Sequence, residues 1–251
     1  MNAWRLVSRN ALVYRREWVV FLTGFAEPVF YLFSIGVGVG ALIGGFDMGG
    51  QFVPYANFVA PAMLATSAMN GAIMDATFNI FFRLKHAKLY DAVLATPLTT
   101  GDIAVAETTW ALARGGIYSA GFLLIMLVMG YATSWWALLA LPACLLIGYT
   151  FAGLGMWATT YMKNWQDFEY VTLLLMPMVL FSGTFFPLEA FAGPVRWLIE
   201  ATPLYRGVVL CRELTTGAVG LASLVSVVYL AALGTLGMLG ARRRLAQLLL
   251  T

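Results

Sequence analysis

Residues 115–162 read GGIYSAGFLLIMLVMGYATSWWALLALPACLLIGYTFAGLGMWATTYM, a stretch with no Asp, Glu, Lys, Arg or His. A helix needs about 20 mostly apolar residues to cross the hydrocarbon core of a bilayer, so this run is too long for one crossing and long enough for two. Tyr131, Ser134, Trp135 and Trp136 lie at its middle. Aromatic side chains of this kind settle at a membrane interface, which makes the run a hairpin of two spans.

Four more charge-free stretches flank it: Pro28–Phe46, Met48–Met74, Tyr170–Leu188 and Leu214–Ala241. The reading is an all-α membrane protein with six transmembrane helices, at about 24–46, 57–81, 107–130, 137–161, 170–186 and 217–240, in one transmembrane domain over 1–251. Composition agrees. The chain is 61% hydrophobic and 11% charged, against about 25% charged in soluble domains, so most of its surface has to face lipid.

The net charge of +3 is too small, and the basic residues too scattered, for a nucleic-acid partner. Their order along the chain carries more information. With an even number of spans and both termini cytoplasmic, every Lys and Arg except Arg196, Arg206 and Arg212 falls on the inner side, as expected where basic residues favour short cytoplasmic loops. At the N-terminus, Arg5, Arg9, Arg15, Arg16 and Glu17 alternate with Trp4, Leu6, Val7, Leu12, Val13 and Trp18. This is the pattern of an amphipathic helix over 1–20 lying in the interface, rather than a cleaved signal or a twin-arginine address.

Two connections are unusual. The inner one, Arg83 to about Ala106, holds a short helical pattern through Leu89, Val93 and Leu94 that stops at Thr96-Pro97. The outer one, 187–215, contains Pro187, Pro194 and Pro203 together with Glu189, Arg196, Glu200, Arg206, Arg212 and Glu213. It is too apolar for a solvated loop, so two short re-entrant helices, Phe191–Ile199 and Tyr205–Leu214, are expected between the fifth and sixth spans.

Reactive chemistry is sparse. Gly36-Val37-Gly38-Val39-Gly40-Ala41 matches a dinucleotide-binding pattern in letters, but it lies within a span, where small residues serve close helix packing. Gly44, Gly153, Gly155, Gly234, Gly237 and Gly240 read the same way. None of the three lysines follows a glycine-rich phosphate loop, so the chain does not hold ATP by that means. The single histidine, His86, stands among Arg83, Lys85 and Lys88 and reads as a solvated side chain. Cys144 and Cys211 read as two unrelated packing thiols, with no metal-ligand spacing. Glu27 and Asp75 are the acids nearest the spans. Glu27 is expected to pair with Arg15 or Arg16, and Asp75 to sit near the inner interface, where a structural pairing or a role in transport are both open.

Three stretches together resemble the membrane subunit of ABC-2 type exporters, closest to the nodulation-factor (lipo-oligosaccharide) and daunorubicin-resistance permeases. They are Glu27-Pro28-Val29-Phe30-Tyr31-Leu32, then Arg83 through Tyr90-Asp91-Ala92-Val93-Leu94-Ala95-Thr96-Pro97-Leu98-Thr99-Thr100-Gly101-Asp102-Ile103 to Glu107, Trp110 and Arg114, and finally Phe181-Ser182-Gly183-Thr184-Phe185-Phe186-Pro187-Leu188 with Pro203-Leu204-Tyr205-Arg206 and Arg212. The likeness covers almost the whole chain. It departs at Tyr205-Arg206, where many relatives have histidine after the Pro-Leu pair.

That resemblance implies a separate ABC ATPase subunit carrying ATP and magnesium, two copies of each chain, contact with membrane lipid, and a bacterial cytoplasmic membrane. It also implies that Lys88, Leu89, Tyr90, Asp91, Val93 and Leu94 form a cytoplasmic coupling helix between the second and third spans, with Thr96, Pro97 and Asp102 shaping its exit. This chain would bind no cofactor or metal and would not itself be an enzyme. The expected function is ATP-driven export of an amphiphilic, lipid-linked or drug-like substrate. An ion-coupled secondary transporter would need acids at mid-membrane, and a membrane-embedded enzyme would need grouped polar side chains.

Overall fold

A helix that contacts other helices on every side has no polar stripe, and the segment from Phe58 to Met69, buried at every position, is of this kind. It belongs to α3 (Tyr55–Met74), the axis of the bundle in the computed structural model, which describes residues 3–14, 26, 29–48 and 51–249. Ala60, Ala62, Ala65, Ser67 and Ala68 keep α3 thin enough for its neighbours to approach.

Around it, in chain order, α1 (Ala3–Tyr14) is followed by α2 (Val29–Ile43), an apolar helix wound at π pitch over Leu32–Val39. After α3 come α4 (Leu89–Leu94), α5 (Thr100–Val128), α6 (Ala140–Thr159, led by a 3-10 turn at Trp135–Leu139) and α7 (Phe168–Leu180). The short α8 (Gly193–Glu200) and α9 (Pro203–Thr216) precede the long α10 (Leu221–Leu249). Three of the described segments are long and apolar enough to cross a membrane: Thr100–Val128, Trp135–Thr159 and Leu221–Leu249. The chain is thus an all-α membrane protein with one departure. A two-stranded antiparallel hairpin, β1 (Gly45–Met48) and β2 (Gln51–Pro54), joins α2 to α3 where the sequence pattern offered only a connection. Gly44 turns the chain at φ +77°, and at Gly45 a side chain would collide with the Val53 carbonyl oxygen, so glycine fits this corner where bulkier residues do not. Phe46 then packs edge-on against Phe58, ring centroids 5.1 Å apart, clamping the hairpin to α3.

The tightest helix pair is α6 with α10. A Cβ on Gly237 would lie 2.7 Å from the Gly153 carbonyl carbon and 2.7 Å from the Leu154 nitrogen, so the two backbones touch there. Thr150 adds a hydrogen bond to the Leu230 carbonyl at 2.9 Å. Of the glycines in the first apolar helix, Gly36 and Gly40 face Ala56 and Tyr55 of α3, whereas Gly38 faces open space and packs against nothing.

Helix α9 lies deep among α3, α6 and α10, with Leu204, Val208, Leu210 and Cys211 buried. Cys211 there meets Cys144 of α6, thiol to thiol, which corrects the reading of the pair as unrelated; both remain free. Pro203 starts α9 at a position where its missing N–H costs nothing, and the Thr202 hydroxyl accepts the Tyr205 N–H at 3.3 Å. By contrast α8 is peripheral, presenting Trp197 and Leu198 outward.

Candidate functional site at the basic end of the bundle

One end of the bundle gathers the cations. Arg242 lies against Gly101 at the start of α5, Arg244 stands 4.5 Å over the Tyr161 ring, and Arg83 meets Glu107. At the opposite end the segment after Gly130 meets the end of α9, with Thr133 N–H donating to the Thr215 carbonyl at 3.0 Å.

At the basic end α3 does not stop at Met74. It continues through π turns at Asp75–Asn79 and Phe82–His86, each widening the helix by one residue per turn. Lys88 then adopts a left-handed backbone, φ 43°, which reverses the chain into α4. Only one face of α4 is covered. Tyr90 (1% exposed) and Val93 turn inward, Leu89 and Leu94 are half-buried, and Lys88, Asp91, Ala92, Thr96 and Pro97 are exposed. The Thr96 hydroxyl donates to the Val93 carbonyl at 2.6 Å and closes the last turn. Thr99 and Asp102 cap each other's backbone N–H groups, at 3.2 and 2.9 Å, and so fix where α5 begins.

Tyr90 points at a buried ionic cluster. Arg83 and Glu107 form an ion pair, Asn10 of α1 donates to the same carboxylate at 3.4 Å, and Arg9 donates to Asn10 at 2.9 Å. The Tyr90 hydroxyl lies beside this pair without a hydrogen bond of good geometry. Burial, reinforced by the Glu107 carboxylate, holds its pKa well above that of a free tyrosine. Glu107 therefore joins α1, the end of α3, α4 and α5 at a single carboxylate. The sequence pattern assigns it no role, although an acid within an apolar helix, in a chain with arginines nearby, is the signal for such a pairing.

Deeper in the bundle, Asp75 pairs with Arg114 of α5 at 3.1 Å and accepts from Asn79. Arg114 is seven residues beyond Glu107, about 10 Å further along the helix, and Asp75 is buried among the helices there. Arg15, Arg16 and Glu27 lie outside the described residues. At the opposite end, Arg212 donates to the carbonyls of Phe58 at 3.2 Å and Gly183 at 2.9 Å and stacks on the Phe58 ring, tying α9 to α3 and to the turn after α7. Arg206 donates to the Glu200 carbonyl at 3.0 Å and bends α8 toward α9. Pro187 opens a short 3-10 turn that carries the exposed Glu189.

His86 stacks on Phe82 and lies edge-on to Phe81, beside a cluster in which Phe78 and Phe168 stack at 4.1 Å and Trp165 meets Phe168 at 5.1 Å. These rings tie the α6–α7 connection to the end of α3. No group of three or more His, Cys, Asp or Glu able to hold a metal occurs among the described residues. The arrangement suits transmission of movement: a short helix, exposed on one face, is coupled through a single buried carboxylate to three other elements.

A membrane protein of several helices with an exposed short helix locked to the ends of its spans is the class that fold and site define. The ABC-2 type transporter model matches residues 1–215, and the chain belongs to that family, as a transport subunit. Its relatives include Nodulation protein J of Rhizobium leguminosarum bv. viciae, 35% identical over 220 residues that cover 86% of this chain and 82% of the relative. The proteins of the same name from Rhizobium meliloti (strain 1021), 31% identical over 223 residues and covering 86% and 83%, and from Sinorhizobium fredii, 33% identical over 216 residues and covering 84% and 81%, are similar to it as well.

Proposed function

We propose that this chain is the membrane half of an ATP-driven exporter, moving an amphiphilic, lipid-linked or drug-like substrate out of a bacterial cytoplasm. It crosses the inner membrane six times, with α2, α3, α5, α6, α7 and α10 as the spans and both termini in the cytosol. Two copies pair with two copies of a separate ATPase, which carries ATP and magnesium. The exposed face of α4, around Lys88, Asp91 and Ala92, seats in a cleft of that ATPase, and α1 lies beside it.

The observation that carries this reading is the division of α4 into a locked face and an open one. Tyr90 and Val93 are buried against the Arg83–Glu107 cluster, while Asp91 and Ala92 face outward at the end where the cations gather. Nucleotide-driven movement of the ATPase would push α4, and Glu107 would pass the displacement to α1, α3 and α5 as a rigid-body shift. The relatives are named for nodulation, which fits a cargo made for secretion.

The test is export from vesicles holding this chain with its ATPase. Asp91→Lys combined with Ala92→Arg on the open face should abolish ATP-dependent export and leave insertion and thermal stability unchanged. Undiminished export by that variant, or ATP-dependent export by the chain alone, would refute the assignment.

A further inference from the structure

Helix α7 stands away from the bundle. Of its side chains only Phe168 is buried, and Tyr170, Leu173 and Leu174 are each 71% exposed. Between α7 and the wall formed by α6 and α10 runs a groove of about 1200 Å³, closed at one end by α8. From Asp167 to Phe181 it follows α7 for about 20 Å at 1.5 Å per residue. Its middle is largely hydrocarbon, formed by Leu154, Ala158, Leu174, Met178 and Leu233 with Thr77 beside Gly155, and its charged side chains, Lys163 and Asp167, stand at one end, with Thr202 and Tyr229 at the other.

We infer that this groove holds the acyl chain of an anionic phospholipid from the leaflet on the basic side, with the phosphate at Lys163 and Arg244. Water does not suit it, because an ordered water needs two to four polar partners and the one polar side chain in the middle of the groove, Thr77, already donates to the Ile73 carbonyl at 2.6 Å.

The mouth decides the headgroup. Arg244 lies over Tyr161, which lines the groove, and its buried Nε has no hydrogen-bond partner. Among the described residues that line the groove the one acid, Asp167, is already engaged: its carboxylate accepts the backbone N–H groups of Lys163 at 2.6 Å and Asn164 at 3.1 Å. Lys163 lines the opening, and Arg244 lies beside it over the Tyr161 ring, donating to Gln247 at 3.1 Å, against one acid already held by the backbone. A basic pocket between spans selects phosphate-bearing headgroups. The tail contributes little preference, since it leaves one apolar medium for another, so selectivity resides in Lys163 and Arg244.

The full chain, without ATPase or ATP, is placed in phosphatidylcholine vesicles doped with phosphatidylglycerol or phosphatidylcholine whose acyl tail carries a photoactivated diazirine. After irradiation, labelled peptides are identified by mass spectrometry. The phosphatidylglycerol label should concentrate on Leu154, Ala158, Leu174 and Met178, and Lys163→Gln and Arg244→Gln should each weaken it roughly fivefold. Ala158→Trp should fill the groove and clear the α7 label, leaving lipid-facing Leu224 labelled as before. Equal labelling by the two lipids, labelling spread evenly over Leu124 and Leu224, or cross-links placing a second copy's helix in the groove would overturn the inference. So would a groove left unlabelled in this preparation and labelled only in a second one to which the ATPase and ATP are added, which would make the groove a cargo path. Because no nucleotide is present, failure of the exporter reading would leave this result intact.

Discussion

Arg83, on the last turns of the α3 extension, grips Glu107, on the second turn of α5, in an ion pair whose side chains are only 13% and 5% exposed. Removing one member of a buried pair leaves the other charge unpaired and costs about 3–5 kcal/mol, whereas replacing both with apolar residues of similar size is close to neutral. Glu107→Gln is therefore expected to lower the melting temperature of the purified protein sharply, since Arg9 and Arg83 would then face each other without a carboxylate. The double change Arg83→Met with Glu107→Leu should recover most of the loss. Thermal melts of the three variants in one detergent test this directly.

Tyr90 anchors α4 by its ring and not by its hydroxyl, which has no well-formed hydrogen bond. Tyr90→Phe should match the parent in stability, and Tyr90→Ala should cost about 3–5 kcal/mol by leaving a cavity. Since burial raises the pKa of this tyrosine in the folded protein, its contribution is complete below the ordinary tyrosine value of about 10 and declines as pH rises above it. Stability measured between pH 9 and roughly pH 11 should fall more steeply for the parent than for Tyr90→Phe.

The contact of Gly237 with Gly153 and Leu154 is backbone against backbone, so no rotamer change can relieve an added side chain. Gly237→Leu should force α6 and α10 apart and destabilise the protein by about 3 kcal/mol. Gly240→Ala meets the Trp157 ring first, a side chain rather than backbone that can swing aside, and should cost less. Chemical denaturation of the two variants side by side measures the difference.

The helical membrane architecture was legible because the hydrocarbon core imposes a length, and runs such as 115–162 satisfy it without any knowledge of contacts. The short helix α4 and the two before α10 were also legible, through Thr96-Pro97, Pro194 and Pro203, which punctuate the chain locally. What could not be read were pairings over long sequence separations. Asp75 finds Arg114 across 39 positions, and Cys144 finds Cys211 across two helices, α7 and α8, and three connections. The hairpin at 45–54 escaped because a short connection rich in glycine and broken by Asp47 carries no local sign that its two arms pair. The inward turn of Tyr90 escaped for a related reason: on a six-residue helix one buried face and one open face cannot be told apart without knowing where Glu107 lies.

The claim on which the rest depends is that an ATPase subunit drives this chain through the open face of α4. Single cysteines placed in a background lacking Cys144 and Cys211, Ala92→Cys on α4 and Ser134→Cys at the opposite end of the bundle, can be cross-linked in native membranes that contain the ATPase. Cross-links to the ATPase from position 92, lost when Asp91→Lys is added, and none from position 134 are the expected result. Cross-links from position 134 with none from position 92 would contradict it.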